Sequence, residues 1–206
     1  IFYAMTGGQP GDTGFFERQD GSRITIATTV YEDRDTRQVI AHMPEEGQPT
    51  PEIGEVLVLH IDWERRYNIM RLHTAMHLMC SLIDVPVTGG GMSAQDARMD
   101  FVLPDVPFTK EEITARLQAL IDGNHPITTR WIEDTELDAN PTLVRTMSVQ
   151  PPRSGGRIRL VSIGNDAVDL QPCGGTHVEE TGELGQIHIA KIENKGMQNR
   201  RLRLKF

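Results

Sequence analysis

The sequence predicts an α+β protein, with a small N-terminal β-barrel-like domain over residues 1–64 and a second domain over residues 65–206 in which an antiparallel sheet packs on helices. Three observations carry this prediction. The first 61 residues alternate short β-rich runs with polar or Gly/Pro breaks, the apolar period turns helical near Asp62, and the chain closes on two alternating runs joined by a tight turn.

In the N-terminal part, Ile24 to Val30, Val39 to His42 and Val56 to Ile61 are the strand candidates, and Pro44 to Gly54 is a break. The segment Thr6-Gly-Gly-Gln-Pro-Gly-Asp-Thr-Gly14 precedes them. Four glycines in nine residues allow a tight loop that approaches another surface closely. From Asp62 to about Asp84, residues Ile69, Leu72, Met76, Met79 and Ile83 recur at spacings of three and four, one apolar stripe of a helix. His73 and His77 each fall one residue past a stripe position, about 100° further round, which predicts that they line the border of the buried face beside Cys80.

A second helix is delimited by a capping box of Thr109 and Glu112, a staple of Phe108 and Ile113, an apolar face of Leu117, Leu120 and Ile121, and Gly123 as terminator. Strand candidates follow at Ile127 to Ile132, Arg157 to Ile163 and Ala167 to Leu170. Gln186 to Asn194 and Arg201 to Phe206 read as a hairpin across Lys195-Gly-Met-Gln198.

Composition narrows the class. A chain of 206 residues with 38% apolar side chains and 19 glycines is long enough for a real core. No window approaches the run of about 18 apolar residues of a membrane span and no leader pattern is visible, so a soluble, cytoplasmic protein without a membrane partner is expected. The two cysteines lie in unlike contexts and suggest no disulfide framework, which fits a reducing compartment.

The net charge of -8 counts against a nucleic-acid partner until its distribution is considered. Residues 1–64 hold 12 acidic and 4 basic side chains, so the remaining 17 acidic and 17 basic cancel. The last sixteen residues carry six cations against Glu193, and Lys195, Arg200 and Arg201 there are candidate RNA contacts. An ordinary solvated hairpin face is the equal alternative.

Two motifs carry the chemistry. His73-Thr-Ala-Met-His77 and Cys173-Gly-Gly-Thr-His177 each place two metal-capable side chains at i and i+4, and together they supply nitrogen and sulfur donors of the kind zinc prefers. Either motif alone is a commonplace of helix or loop surfaces; the pair makes a zinc site the leading expectation. Thr74 stands where a metalloprotease helix carries its general-base glutamate. Four protein donors close a tetrahedral zinc, so ligand identity argues for zinc more strongly than for catalysis. Cys80 is a minor alternative ligand, Arg71 a candidate phosphate contact or a surface ion pair, and His42, His60, His125 and His188 are taken as structural.

Four segments in order resemble the editing domain of alanyl-tRNA synthetase and its free-standing relatives, the AlaX proteins: Phe2 to Gly14, Met70 to Leu78, Cys173 to His177 and Glu193 to Arg201. The resemblance spans nearly the whole chain and implies the same two-domain architecture. It places the family's zinc ligands on His73, His77, Cys173 and His177, and its Gly-Gly-Gln-Pro loop, near the editing site, on Gly7, Gly8, Gln9 and Pro10. Gln9 and the Gly7-Gly8 backbone are thereby candidates for lining the pocket, Asp12 for bracing the loop, and Thr88 or Ser93 for recognising a substrate hydroxyl. The implied activity is hydrolysis of serine or glycine wrongly esterified to the transfer RNA for alanine, by a free-standing editing protein rather than a synthetase. Such a second site is needed because a pocket for alanine admits glycine and only weakly rejects serine. A zinc-stabilised tRNA-binding module without hydrolysis and threonyl-type editing of Ser-tRNA(Thr) are the competing readings; the Gly-Gly-Gln-Pro loop favours the alanyl branch.

Overall fold

The computed structural model describes residues 1–33, 35–144 and 156–206. The chain divides into two compact units, Ile1–Asn68 and Ile69–Phe206.

In the first unit, β1 (Gly14–Glu17), β2 (Arg23–Tyr31), β3 (Ile40–Pro44) and β4 (Val58–Ile61) pair antiparallel in the order β3-β2-β1-β4. Ile24 and Ile26 point to one face of β2 and pack with Phe2 and Phe16, with Leu57, Leu59 and Ile61 closing the cluster. Phe2 meets Phe16 edge-on, centroids 5.7 Å apart. The predicted barrel is not found in its closed form. Among the described residues no pairing joins β3 to β4, so the sheet is open with those two strands as its edges. The strand β1, absent from the sequence prediction, is the one that brings β2 and β4 together.

The Thr6–Gly14 loop is built around its glycines. Thr6 and Gln9 bridge each other across Gly7 and Gly8, whose φ values of 58° and 87° are the left-handed conformations glycine adopts without steric cost. A Cβ on Gly11 would lie 1.9 Å from the Thr29 carbonyl oxygen, so only glycine fits there. The Asp12 carboxylate, 1% exposed, accepts the Tyr3 amide at 2.6 Å and the Arg66 Nε at 2.8 Å. Asp12 is therefore a brace, as its sequence context suggested.

The helix α1 (Trp63–Leu82) starts after Asp62, whose carboxylate accepts the Arg65 amide at 3.1 Å, and the division between units falls within it. In the second unit follow β5 (Val87–Met92), β6 (Asp96–Val102), α2 (Lys110–Asp122), β7 (Ile127–Glu133), α3 (Asp134–Ala139), β8 (Arg157–Ile163), β9 (Asp169–Pro172), β10 (His188–Asn194) and β11 (Asn199–Lys205). They form two antiparallel sheets, β10-β11-β6-β5 and β7-β8-β9, so the α+β class holds. Both sheets reach α1. His77 bonds to Asp169 of β9, and Gly90 of β5 faces Met76, where an added Cβ would stand 3.1 Å from the methionine methyl.

This enclosure corrects the single-stripe reading of α1. Every residue from Leu72 to Cys80 is buried, including Thr74, Ala75 and Leu78 off the stripe. A helix covered on all sides needs no polar face, and the stripe marks only part of its contact surface. The capping box of α2 is present in both directions, with the Thr109 hydroxyl accepting the Glu112 amide and the Glu112 carboxylate accepting the Thr109 amide. Gly123 ends α2 for a different reason than a left-handed cap. Its φ is -66°, the left-handed residue being Asn124 at φ 45°, and a Cβ on Gly123 would lie 2.6 Å from the His125 ring.

Gly11→Ala is expected to destabilise the protein by about 1–3 kcal/mol, because the new methyl must displace the backbone of β2. Chemical denaturation followed by circular dichroism checks this; an unchanged midpoint would show that the loop relaxes freely.

Candidate metal centre

The two motifs meet. One ligand atom from each of His73, His77, Cys173 and His177 lies within 4.8 Å of every other, and this is the set of side chains in the described residues arranged to hold a metal ion. Helical geometry supplies the first half, since positions i and i+4 lie one above the other on a helix. A strand exit supplies the second: Cys173 follows β9 directly, and Gly174 and Gly175 turn the chain back so that His177 faces the same point.

The Cys173 Sγ stands 3.5 Å from the His73 Nε2 and 3.4 Å from the His177 Nε2. The His73 and His177 rings are 4.3 Å apart, and His77 and His177 4.6 Å. The opposite ring nitrogens are fixed by further partners. Asp169 Oδ2 lies 2.9 Å from His77 Nδ1, and Thr74 Oγ1 lies 3.1 Å from His177 Nδ1. Gln171 steadies this arrangement, its amide donating to Asp169 Oδ2 at 2.8 Å. Each of these two histidines thus keeps Nε2 for a metal while a fixed group sets the ring angle, the usual outer support of a metal-binding imidazole.

Charge is also arranged for a cation. Burial opposes ionisation of the Cys173 thiol, but the adjoining imidazoles of His73 and His177 bring its pKa well below the usual thiol value. For His177, burial and the neighbouring charge of His73 push the pKa down to about 3, so its ring is neutral. Burial acts in the same direction on His77, yet hydrogen bonds to Asp169 and Cys173 outweigh it and raise the pKa to about 10. A metal held here would take the thiolate and neutral imidazoles, so its binding would release protons.

The Cys173-Gly-Gly turn is anchored as well. Arg159 of β8 donates through one Nη to the carbonyls of Cys173 at 2.9 Å and Gly175 at 2.8 Å, while the Gly175 amide points at the sulfur from 3.3 Å. Sequence reasoning missed Asp169, Gln171 and Arg159. The signal for the first two was present: Asp169, Gln171 and Cys173 alternate along one strand, which puts all three side chains on one face.

Other sequence candidates fall elsewhere. Cys80 is buried in α1 and is not one of the clustered donors. Arg71 donates to the Leu184 carbonyl and lies over the Phe206 ring at 4.3 Å, so packing and hydrogen bonding occupy it. Thr88 sits at a bulge of β5 with its hydroxyl on the Asp100 carbonyl at 3.2 Å, and Ser93 braces the β5–β6 turn through Gln95 and Asp96. Gly7, Gly8 and Gln9 belong to the first unit, where the Gln9 side chain is 1% exposed. Of the basic candidates, Arg201 is tied to both Asp100 oxygens at 2.6 and 2.7 Å, and Arg200 donates to the carbonyls of Asn199, Gly196 and Pro104. Lys195 lies exposed in the β10–β11 turn.

A four-donor His/Cys centre, split between a buried helix and a glycine turn beside an antiparallel sheet, is the arrangement that the resemblance to aminoacyl-tRNA editing domains implied. In agreement, the family model described as the threonyl and alanyl tRNA synthetase second additional domain matches residues 158–203. The alanyl-tRNA editing protein AlaX-M of Methanosarcina mazei is 31% identical over 98% of this chain and 82% of its own length, and that of Saccharolobus solfataricus 30% identical over 98% and 84%. The alanine–tRNA ligase of Pyrobaculum arsenaticum is 34% identical over 93% of this chain, a stretch that makes up 22% of the ligase. The chain belongs to the AlaX family of alanyl-tRNA editing proteins. Among the described residues no helix is long and apolar enough to cross a membrane.

Asp169→Asn is expected to weaken metal binding about 10- to 100-fold, since the His77 ring loses its carboxylate support. Titration against a chromophoric chelator measures it. Cys173→Ala should lower the bound metal per chain in the same experiment; unchanged stoichiometry would overturn the ligand assignment.

Proposed function

We propose that this chain is a trans-editing aminoacyl-tRNA deacylase that hydrolyses mischarged Ser-tRNA(Ala) and Gly-tRNA(Ala) in cytoplasmic translation quality control, with zinc as its metal and residues 65–206 as the editing domain. The single observation that carries the reading is the convergence of His73, His77, Cys173 and His177 on one point, in a chain similar over nearly its full length to alanyl-tRNA editing proteins.

The donor set fits zinc. With Zn–S near 2.3 Å and Zn–N near 2.05 Å, a tetrahedron has sulfur–nitrogen edges of about 3.5–3.6 Å. The two edges measured at Cys173 are 3.5 and 3.4 Å. Thiolate with imidazole selects zinc over the hard, oxygen-seeking cations. With one protein donor displaced, bound zinc would supply a Lewis-acid charge that anchors or polarises the aminoacyl end of the substrate.

The chain's own residues prepare the rest. Editing breaks the ester between the aminoacyl carbon and the terminal ribose oxygen: water adds to the carbonyl, and the ribose hydroxyl leaves with a proton. Asp169 and Thr74 hold two imidazoles in a single orientation, and Arg159 holds the Cys173-Gly-Gly turn, so the centre meets the ester already organised. Four protein donors complete a tetrahedron, which supports a metal that sets the shape of the site, with backbone donors and the substrate's own terminal hydroxyl assisting the attack. Gly7, Gly8 and Gln9 are proposed to take part in substrate handling on the strength of their motif, and Lys195, Arg200 and Arg201 to meet RNA on the strength of local charge.

The assay is ester loss from Ser-, Gly- and Ala-tRNA(Ala) and from Ser-tRNA(Thr), with and without a chelator. Loss of serine and glycine from tRNA(Ala), sparing alanine, abolished by chelation and restored by zinc, is the expected result. Binding of these RNAs without ester loss would instead establish the zinc-stabilised binding module, and selective loss from Ser-tRNA(Thr) the threonyl-type reading.

A further inference from the structure

The sheet β7-β8-β9 has two unlike faces. One packs Ile132, Ile158, Leu160 and Leu170 with Leu137 of α3 into an apolar cluster. The opposite face carries Asp169, Gln171 and Cys173 toward the metal centre. Register extends that functional face outward across the sheet. The Cys173 amide donates to the Arg159 carbonyl at 3.0 Å, and Arg159 is the cross-strand partner of Trp131. Cross-strand partners project to the same side, so Trp131, Arg159 and Cys173 form one row that runs from the edge strand to a metal ligand.

Trp131 is 55% exposed, although its side chain is among the largest apolar surfaces a protein can bury. Its neighbours along this face are polar. Thr129 is small and exposed, and on the other side stands the solvent-facing pair of Glu133 with Arg157 at 3.3 Å. Two strand spacings separate Trp131 from Cys173, about 10 Å, which is the reach of a single nucleoside. Between them Arg159 is held by two carbonyls at the turn that carries the ligand.

We propose that Trp131 is the platform on which the 3′-terminal nucleobase of the acylated RNA stacks, setting the terminal ribose ester over the metal centre. The inference rests on the editing reading above and adds the residue that positions the substrate. Unpaired RNA ends are recognised by stacking on aromatic side chains, because every base offers a π face and a strand end has no neighbour on one side. Of the other exposed aromatic side chains among the described residues, Trp63 is stacked with Tyr67 at 6.0 Å and Phe206 is covered by the Arg71 guanidinium at 4.3 Å.

Steady-state deacylation of Ser-tRNA(Ala) by Trp131→Ala and Trp131→Phe tests the proposal. Loss of one stacked base predicts a KM raised about 10- to 100-fold in Trp131→Ala, with kcat and zinc content unchanged, and near-normal KM in Trp131→Phe. In a Trp63→Phe background, an RNA minihelix ending in a non-hydrolysable seryl amide should quench the remaining indole. Unchanged KM in Trp131→Ala, or absence of quenching, overturns the proposal while leaving the editing reading intact. A wild-type protein that deacylates none of the charged RNAs overturns both.

Discussion

The hydrogen bond between His77 and Asp169 is the contact on which the second unit turns. It joins the middle of a buried helix to a strand of four residues and sets the tautomer of one ligand. The carboxylate and the imidazole are 2% and 5% exposed, where a lone charge would be costly to keep. Each is tolerable because of the other, and Gln171 spreads the load by donating to the same oxygen. The four clustered donors are thus the visible part of a polar network of buried Thr74, Asp169 and Gln171, joined by half-buried Arg159 at the Cys173 turn. Such a network holds a shape only when every member is satisfied.

Charge on the outer face of β6, β10 and β11 tells a complementary story. The basic excess near the end of the chain is largely paired: Arg201 with Asp100, and Arg203 and Lys191 with Glu193, whose carboxyl is held down to about 2 by those two cations. A count of lysines and arginines is therefore a poor guide to which cations meet phosphate. Residues already committed to a bidentate partner must give it up first, whereas Lys195 in the turn has no such bidentate bond to break.

The convergence of the four donors was legible in the sequence because both motifs have fixed local spacing and both are built from side chains with few other uses in combination. Their supports were harder to see. Asp169 and Gln171 become ligand supports only once β9 is recognised to reach Gln171 and Pro172, and the sequence placed that strand two residues early. The pair β5–β6 was missed although Ala97, Met99 and Phe101 alternate with Asp96, Arg98 and Asp100 in the manner of a half-buried strand. The glycines at positions 89–91 hid its partner, since glycine is a poor strand former; of the three, Gly90 lets β5 approach Met76 closely. The border position assigned to His73 and His77 failed for a tertiary reason: two sheets cover α1, and no periodicity within a helix reports how many neighbours it will have.

The strand order β10-β11-β6-β5 places β11 between its hairpin partner β10 and β6, a strand made long before it. Arg200 pairs with Phe101 and Arg203 with Arg98, about a hundred residues away in sequence. Until β11 is inserted, one side of β6 lacks its ladder. The clustered donors have the same timing, as Cys173 and His177 follow His77 by about a hundred residues. During synthesis the second unit must therefore wait for its C-terminal end, and metal capture and sheet closure become late events in the folding of a chain dominated by long-range contacts.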